Sequence, residues 1–196
     1  MAHHVYNTQG LIIESTPRGE ANKMYLIFTE ELGMVRASAQ GVRLLKSKLR
    51  FALQEYSFAR VSLVRGKDMW KVTNAKAQWS MYHQYKDQKH ILYAAAQIIS
   101  LLKRLIPGEE KNERLYGVII EAFDFLHQHE LNKAEVSAFE RIVVLRVLHN
   151  LGYGGNTAVV KNFTEAPITR ELIIEMISAQ SEATKEINRS LRETQL

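Results

Sequence analysis

The stretch MYLIFTEELGMVRASA, residues 24–39, decides how the first part of the chain is interpreted. Two sets of side chains alternate through residues 24–29 and again through residues 34–39, and the turn signal Glu31-Leu32-Gly33 separates the two runs. A period of two residues is typical of half-buried β-strands. The stretch therefore predicts two neighbouring strands joined by a turn.

The same period extends this β pattern over the first eighty residues. Residues 58–63 and 69–74 alternate in the same way, and the apolar run within residues 10–15 predicts a first strand. Turn signals at residues 17–19 and 65–68 separate the runs. Five strands in so short a stretch, without long helices between them, favour a small OB-type β-barrel.

After about residue 80 the apolar side chains recur at helical spacing. Residues 91–105, 115–126, 136–151 and 172–177 each predict a helix with one apolar face. Asn132 and Thr169 are expected to cap two of these helices, with Glu135 completing a capping box. The stretch 181–196 is polar and is expected to fray.

The predicted fold class is therefore α+β, with an N-terminal OB-type five-stranded β-barrel followed by an all-α helical bundle. We expect residues 1–80 to form a nucleic-acid-binding domain and residues 81–196 to form the helical domain.

The net charge of +5 is concentrated in the first of these domains. Residues 1–80 hold twelve Lys and Arg against six Asp and Glu, whereas residues 81–196 hold fourteen against fifteen. Such asymmetry predicts a polyanionic partner for the first domain. A basic surface that only keeps the protein in solution is the alternative.

Several classes of function find no support in the sequence. The absence of cysteine excludes a disulfide framework and a thiolate zinc site, and the N-terminus shows no signal-peptide pattern, so we expect a cytoplasmic protein with no membrane partner. No phosphate-binding loop is present, the glycines of residues 152–155 follow a helix, and the histidines are not spaced as metal ligands. We therefore predict no catalytic residue, no metal and no cofactor.

The densest signal is a basic loop over residues 41–51, which contains four cations and no acid. From Arg36 to Lys76 there are ten basic residues against two acids, an arrangement suited to phosphates along a nucleic-acid strand. The candidate nucleic-acid-binding residues are Arg36, Arg43, Lys46, Lys48, Arg50, Arg65, Lys67 and Lys71. Aromatic side chains of the domain can also stack on bases, although a small barrel needs most of them in its core.

Composition and spacing thus predict a basic barrel that binds nucleic acid with little sequence preference. Two alternatives remain at this point. One is an RNA-binding module of the same barrel type, and the other is a protein-interaction adaptor whose barrel is inert.

An ordered set of short segments resembles the RecO family of bacterial recombination mediator proteins. These segments are GEANKMYLIFTEELG at residues 19–33, VRA at 35–37, AQGVR at 39–43, SKLRFALQ at 47–54 and LGYG at 151–154. The resemblance implies an OB-fold followed by a helical domain, with no catalytic site. It also implies binding of single- and double-stranded DNA, annealing of complementary strands, and loading of recombinase in gap repair together with RecR and single-stranded DNA-binding protein.

Two departures from the family pattern stand out. Many relatives carry a four-cysteine zinc module after the central helix, and this sequence has no cysteine. In place of that module, we expect residues 156–167 to form a short connector. Gln40 stands where the family usually has Lys, and Ala52 stands where Gly is common.

The implied partner, the acidic and hydrophobic tail of single-stranded DNA-binding protein, needs an apolar groove with a cation at its rim. The candidates on the predicted helices are Lys103, Arg104, Arg141 and Arg146.

Overall fold

The structure, a computed structural model, describes residues 4–155 and 158–194. The chain divides into two compact units. The first comprises the chain up to Asp87 together with Ile106–Glu113, and the second comprises Gln88–Leu105 and the chain from Arg114 onward.

The first unit is built on a closed five-stranded barrel. Its strands are β1 (Val5–Arg18), β2 (Asn22–Thr29), β3 (Gly33–Ala39), β4 (Ser57–Arg65) and β5 (Trp70–Ser80). The order around the barrel is β1-β2-β3-β5-β4, with β4 also paired to β1 and with β3 and β5 parallel. This arrangement confirms the predicted OB-type fold.

Strand β1 is longer than the predicted run because it pairs with two neighbours. Its first half, from Val5 to Leu11, pairs with β4, and its second half, from Gly10 to Arg18, pairs with β2. An irregularity between Ile12 and Glu14 lies within the second half. Such a bulge bends and twists a strand, which helps it to pass from one neighbour to the other and to close the barrel.

Apolar side chains from all five strands fill the barrel. They include Ile12, Tyr25, Ile27, Val35, Ala37, Ala59, Val61, Leu63, Trp70 and Val72, each at most 6% exposed. Burying one large apolar side chain contributes about 1.5–3 kcal/mol. Ala37 on β3 is the register partner of both Tyr25 and Trp70, and its small side chain leaves room for their rings. The alternating pattern of the sequence and the packing of the core therefore agree.

The helices are α1 (Leu49–Ala52), α2 (Met81–Tyr85), α3 (Lys89–Leu105), α4 (Glu113–Gln128), α5 (Lys133–Asn150), α6 (Ala158–Glu165) and α7 (Arg170–Glu193). The short helix α1 joins β3 to β4, the short helix α2 follows β5, and the remaining helices lie in the second part of the chain. The predicted caps are confirmed. The Asn132 side chain accepts from the backbone N–H groups of Ala134 and Glu135, and Thr169 accepts from Leu172.

Two predictions about the C-terminal third are wrong. The expected connector contains α6, because Val160 and Phe163 give it a buried apolar face. The stretch expected to fray continues as helix α7 to Glu193, because α7 packs along α5 and buries Ala183 and Ser190. Residues 156–157 and 195–196 lie outside the described residues.

The segment Ile106–Glu113, which follows α3, packs against the barrel. The backbone N–H of Met34 donates to the carbonyl oxygen of Gly108 at 3.0 Å, and Lys111 pairs with Glu31 at 3.1 Å. Gly33 permits this approach, because a Cβ atom at this position would overlap the carbonyl group of Glu110. Its φ of +69° is also in the region that favours glycine.

We expect Gly33→Ala to lower the free energy of unfolding by about 3 kcal/mol, combining about 1–2 kcal/mol for left-handed backbone with about 1–3 kcal/mol for overpacking. Gly19→Ala is the matched control, since Gly19 has a φ of +64° but nothing within 4 Å of an added Cβ. The control should lose only about 1–2 kcal/mol in urea denaturation. Equal losses in both variants would contradict the close approach at Gly33.

Candidate nucleic-acid interface

The strand order brings three connections to one end of the barrel. Strands β1, β3 and β4 finish at this end, and β2 and β5 begin there. The β1–β2 turn, the start of the β3–β4 connection and the β4–β5 turn are therefore neighbours. We call the cationic surface that they form the basic end. Its cations are Arg18, Lys23, Arg43, Lys46, Lys48, Arg50, Arg65, Lys67 and Lys71.

The basic loop is held against the β1–β2 turn by hydrogen bonds. Gly41, with a φ of +63°, turns the chain so that its N–H donates to the side-chain oxygen of Asn22 at 2.9 Å. The backbone N–H of Arg43 donates to Ala21, and its guanidinium donates to the carbonyl oxygen of Gly19 at 2.8 Å. Arg43 therefore anchors the loop as well as adding charge.

A surface depression of about 530 Å³ lies between this loop and the β1–β2 hairpin. Lys23, Arg43 and Arg50 line it, together with the single carboxylate of Glu55. That carboxylate accepts from the backbone N–H and the hydroxyl of Ser15, at 2.9 and 2.7 Å. The acid is therefore engaged by a neutral partner, and the charge of the depression remains positive.

Tyr25 also lines this depression, and it remains a neutral phenol at physiological pH. Burial raises its pKa to about 12, and the nearby charge of Glu55 acts in the same direction. A neutral phenol offers an O–H donor without adding negative charge to the depression.

A second depression, of about 310 Å³, lies where the β1–β2 and β4–β5 turns meet. Arg18, Lys67 and Lys71 line it, with Asp68 as the acid. In OB-folds, loops at these two positions take part in oligonucleotide binding. The two depressions therefore give the basic end a cationic surface on either side of the β1–β2 turn.

Most of the predicted site residues are exposed and available to a ligand. Within the described parts of the chain, the following six form neither a hydrogen bond nor an ion pair through their side chains: Arg36, Lys46, Lys48, Arg50, Lys67 and Lys71. Arg65 differs, because it pairs with Glu109 and its guanidinium lies 5.0 Å from the centre of the Trp70 ring. Its charge is partly neutralised within the unit. Arg36 lies on the outer face of β3, about three residues from the end of that strand.

The structure also adds Arg18 and Lys23, which the sequence-based prediction did not include. They flank the β1–β2 turn, far in sequence from the basic loop, and only the strand order brings them beside it. The turn predicted at residues 17–19 could have pointed to them, since an OB-type barrel places its β1–β2 and β4–β5 connections at one end.

Phe51 is the exposed aromatic residue of the loop and helix between β3 and β4. Its side chain is 69% exposed, whereas Tyr25, Phe28, Phe58 and Trp70 are buried. It stands beside Arg50, and an exposed ring next to a cation offers a base both a stacking surface and a charge for its phosphate.

The four cations predicted to dock a partner have different environments. Lys103 and Arg104 are exposed in the last turn of α3. Arg141 is half-buried, and its guanidinium donates to the carbonyl and hydroxyl oxygens of Ser137 at 2.8 Å.

For Arg146 the prediction of a rim position is wrong. This side chain is only 3% exposed. It donates to the carbonyl oxygen of Phe163 at 3.0 Å and to that of Ala166, and it pairs with Glu121 at 3.2 Å. Burial lowers the pKa of the guanidinium, and the charge of Glu121 opposes that effect. Arg146 therefore holds the end of α6 to α5 and does not face a partner.

Over residues 4–155 and 158–194, no group of three or more His, Asp or Glu side chains is placed to hold a metal ion. No helix in the same ranges is both long enough and apolar enough to cross a membrane.

Two family models match the chain. The one described as "Recombination protein O N terminal" matches residues 1–80, and the one described as "Recombination protein O C terminal" matches residues 89–158. They cover the five barrel strands and the whole of helices α3, α4 and α5.

Curated proteins named DNA repair protein RecO are similar to the chain. The one from Alkaliphilus metalliredigens is 26% identical over 134 residues, which is 68% of this chain and 54% of that relative. The one from Acetivibrio thermocellus is 26% identical over 146 residues, which is 74% of this chain and 57% of that relative. The one from Desulfitobacterium hafniense is 30% identical over 109 residues, which is 56% of this chain and 40% of that relative. The chain spans about half the length of the curated relatives it matches.

We expect Arg146→Met to lower the free energy of unfolding by about 2–4 kcal/mol, because two backbone carbonyl oxygens and the carboxylate of Glu121 lose their donor. Arg104→Met, which removes an exposed cation, should change it by less than about 0.5 kcal/mol. Chemical denaturation of both variants measures the difference. A loss at Arg146 no larger than at Arg104 would contradict the structural role.

Proposed function

The chain belongs to the RecO family, and we propose that it is a DNA-binding recombination mediator. In this proposal the barrel binds single- and double-stranded DNA and anneals complementary single strands. Together with RecR and single-stranded DNA-binding protein, it helps to load the recombinase in gap repair. It acts by binding alone, with no catalytic residue and no cofactor.

The observation that carries the proposal is the basic end of the barrel. Cations from three separate connections meet there, and most of their side chains have no partner within the described residues. Protein cations that contact phosphates release condensed counterions, and this supplies affinity without reading the sequence. Arginine adds a planar group that binds a phosphate with two donors, which a lysine cannot do.

Annealing follows from the same charge. Two DNA strands repel each other through their phosphates, and a protein surface that neutralises several of them lowers this repulsion when both strands are bound. Bases must also remain free to pair, so contacts directed at phosphates suit annealing better than contacts to base edges.

Stacking on Phe51 supplements these contacts. A base that stacks on an aromatic ring gains about 1–3 kcal/mol with little dependence on its identity. Because the ring stands on α1 next to Arg50, it can hold one base of a strand whose phosphates lie against Lys48 and Arg50. This agrees with binding that shows little sequence preference.

We assign DNA binding to residues 1–80 and partner docking to residues 81–196. The partnership with RecR and with single-stranded DNA-binding protein rests on family membership. For the acidic tail of the latter, Lys103 and Arg104 are the exposed candidates at the end of α3. Arg141 is a weaker candidate, because its guanidinium is already bonded to Ser137.

The fourfold variant R43Q/K46Q/K48Q/R50Q tests the basic loop. We expect it to bind single-stranded DNA of any sequence about 10- to 100-fold more weakly and to anneal complementary strands more slowly, because four phosphate contacts are lost. Fluorescence anisotropy measures the affinity, and duplex formation from labelled strands measures annealing. Competition with RNA oligonucleotides in the same assay tests the RNA-binding alternative.

A matched control removes the same charge elsewhere. The variant K133Q/K161Q/K185Q/R192Q changes four exposed cations of the second unit and should retain the DNA affinity. If the loop variant binds DNA as tightly as this control, the basic loop is not the site.

The salt dependence of binding gives an independent test. If about five to eight phosphates of a single strand are contacted, the logarithm of the affinity should fall with the logarithm of salt concentration at a slope of about −4 to −6. In the loop variant the slope should become shallower by about 2 to 3, since each contact contributes about 0.7. A slope near zero for the unaltered protein would rule out phosphate-directed binding.

A further inference from the structure

The outer face of β1, β4 and β5 carries a further groove, of about 460 Å³, apart from the two depressions of the basic end. The strand register places its side chains in two rows across the three strands. These rows are Asn7–Ser62–Asn74 and Gln9–Arg60–Lys76. None of these residues belongs to the basic end, and the proposed function makes no use of them.

Two amide groups of the groove have donors without a partner among the described residues. The hydroxyl of Ser62 donates to the side-chain oxygen of Asn7 at 2.7 Å, and the amide of Gln78 donates to the side-chain oxygen of Gln9 at 3.1 Å. With both oxygens occupied, the NH₂ groups of Asn7 and Gln9 remain as donors. The groove therefore offers amide N–H groups beside two cations, a set that suits an acceptor-rich ligand.

The two cations stand directly opposite each other. Arg60 and Lys76 are register partners on β4 and β5, both are exposed, and neither forms an ion pair with another described residue. Like charges directly opposite on neighbouring strands destabilise a sheet. A bound anion between them removes this repulsion, so the pair is suited to a phosphate.

Irregularities in β5 frame these rows. The register skips Thr73 on one side and Gln78 on the other. Each skipped residue places a side chain against the neighbouring strands, with Thr73 donating to the carbonyl oxygen of Ser62 and Gln78 bonded to Gln9. Bulges of this kind commonly redirect side chains next to functional sites.

Acids limit the anionic contact to one end of the groove. Glu30 and Glu31 line the other end, where Lys111 pairs with Glu31 at 3.1 Å. Glu30 forms no ion pair with another described residue. A phosphate is therefore attracted to Arg60 and Lys76 and repelled from Glu30.

We propose that this groove binds a second segment of sugar-phosphate chain, in addition to the segment at the basic end. The inference rests on the proposed function, because it takes the ligand to be DNA. Arg, Lys, Asn, Gln and Ser side chains are the groups that contact phosphates and sugars in DNA complexes. Lys76 lies five residues along β5 from Lys71, which corresponds to about 17 Å.

Two sources can supply that segment. A strand that leaves the basic end can continue along β5 past Thr73 and Asn74 into the groove. A second strand, complementary to the first, can instead occupy the groove while the first remains at the basic end.

The double variant R60Q/K76Q tests the proposal in the full chain. Three quantities are measured: the affinity for a single strand of about 6 nucleotides, the affinity for one of about 20 nucleotides, and the annealing rate. The shorter strand fits the usual footprint of one OB-fold, and the longer strand extends beyond it. A continuing strand predicts that only the longer oligonucleotide binds more weakly, by about fivefold. A second strand predicts unchanged binding of both lengths and annealing slowed by a similar factor.

Two outcomes overturn the proposal. One is no change in any of the three measurements, and the other is an equal loss for the short and long oligonucleotides, which would make the groove part of a single site. The control K133Q/K185Q removes two exposed cations of the second unit and should match the unaltered protein. The variant E30Q removes a charge that repels phosphate. It should therefore raise, by about twofold, either the affinity for the long oligonucleotide or the annealing rate, whichever R60Q/K76Q lowers.

The failure of this inference is distinct from the failure of the proposed function. If the loop variant R43Q/K46Q/K48Q/R50Q loses DNA binding while R60Q/K76Q changes nothing, the basic end is a DNA site and the groove is not. If the unaltered chain binds neither oligonucleotide, the proposed function itself fails.

Discussion

Closure of the barrel by β1 is the constraint on which the interface depends. Because β1 pairs with β4 over its first half and with β2 over its second, the sheet has no free edge between β4 and β2. Closure also fixes which connections are neighbours. Arg18, Arg43 and Lys67 are far apart in sequence, yet the strand order brings the segments that carry them to one end of the barrel.

The positive charge at that end remains because its nine cations outnumber the acids there. Among those acids, Glu55 accepts hydrogen bonds from Ser15, Glu109 pairs with Arg65, and Asp68 lines the second depression. Neighbouring exposed cations repel each other by about 1 kcal/mol at 4 Å in water, and salt screens this beyond roughly 10 Å. The repulsion is therefore a modest cost to a closed barrel with a filled core, and contact with a polyanion turns it into affinity.

Local pattern was enough to predict the strands, the helix caps and the exposed basic loop. Apolar and polar residues alternate along a strand wherever one of its faces is buried, so the strands can be predicted from neighbouring residues. A cap residue bonds only to the first turn of its own helix, so the caps can be predicted in the same way. The remaining features depend on partners distant in sequence. Nothing near Gly33 reveals that Gly108 and Glu110 approach it, and Asn7 and Gln9 look like ordinary polar positions until the register sets them beside Ser62 and Arg60.

The burial of Arg146, by contrast, could have been predicted from the residues around it in the sequence. Charge alone does not distinguish it from Lys46, but the surroundings of the two residues differ. Lys46 stands in a turn-rich loop, whereas Arg146 lies in α5, where residues on nearly every side of the helix are apolar and buried. A helix that is apolar all round is buried in a core. A guanidinium in such a helix must therefore find acceptors inside the protein, and backbone carbonyls at the end of α6 provide them.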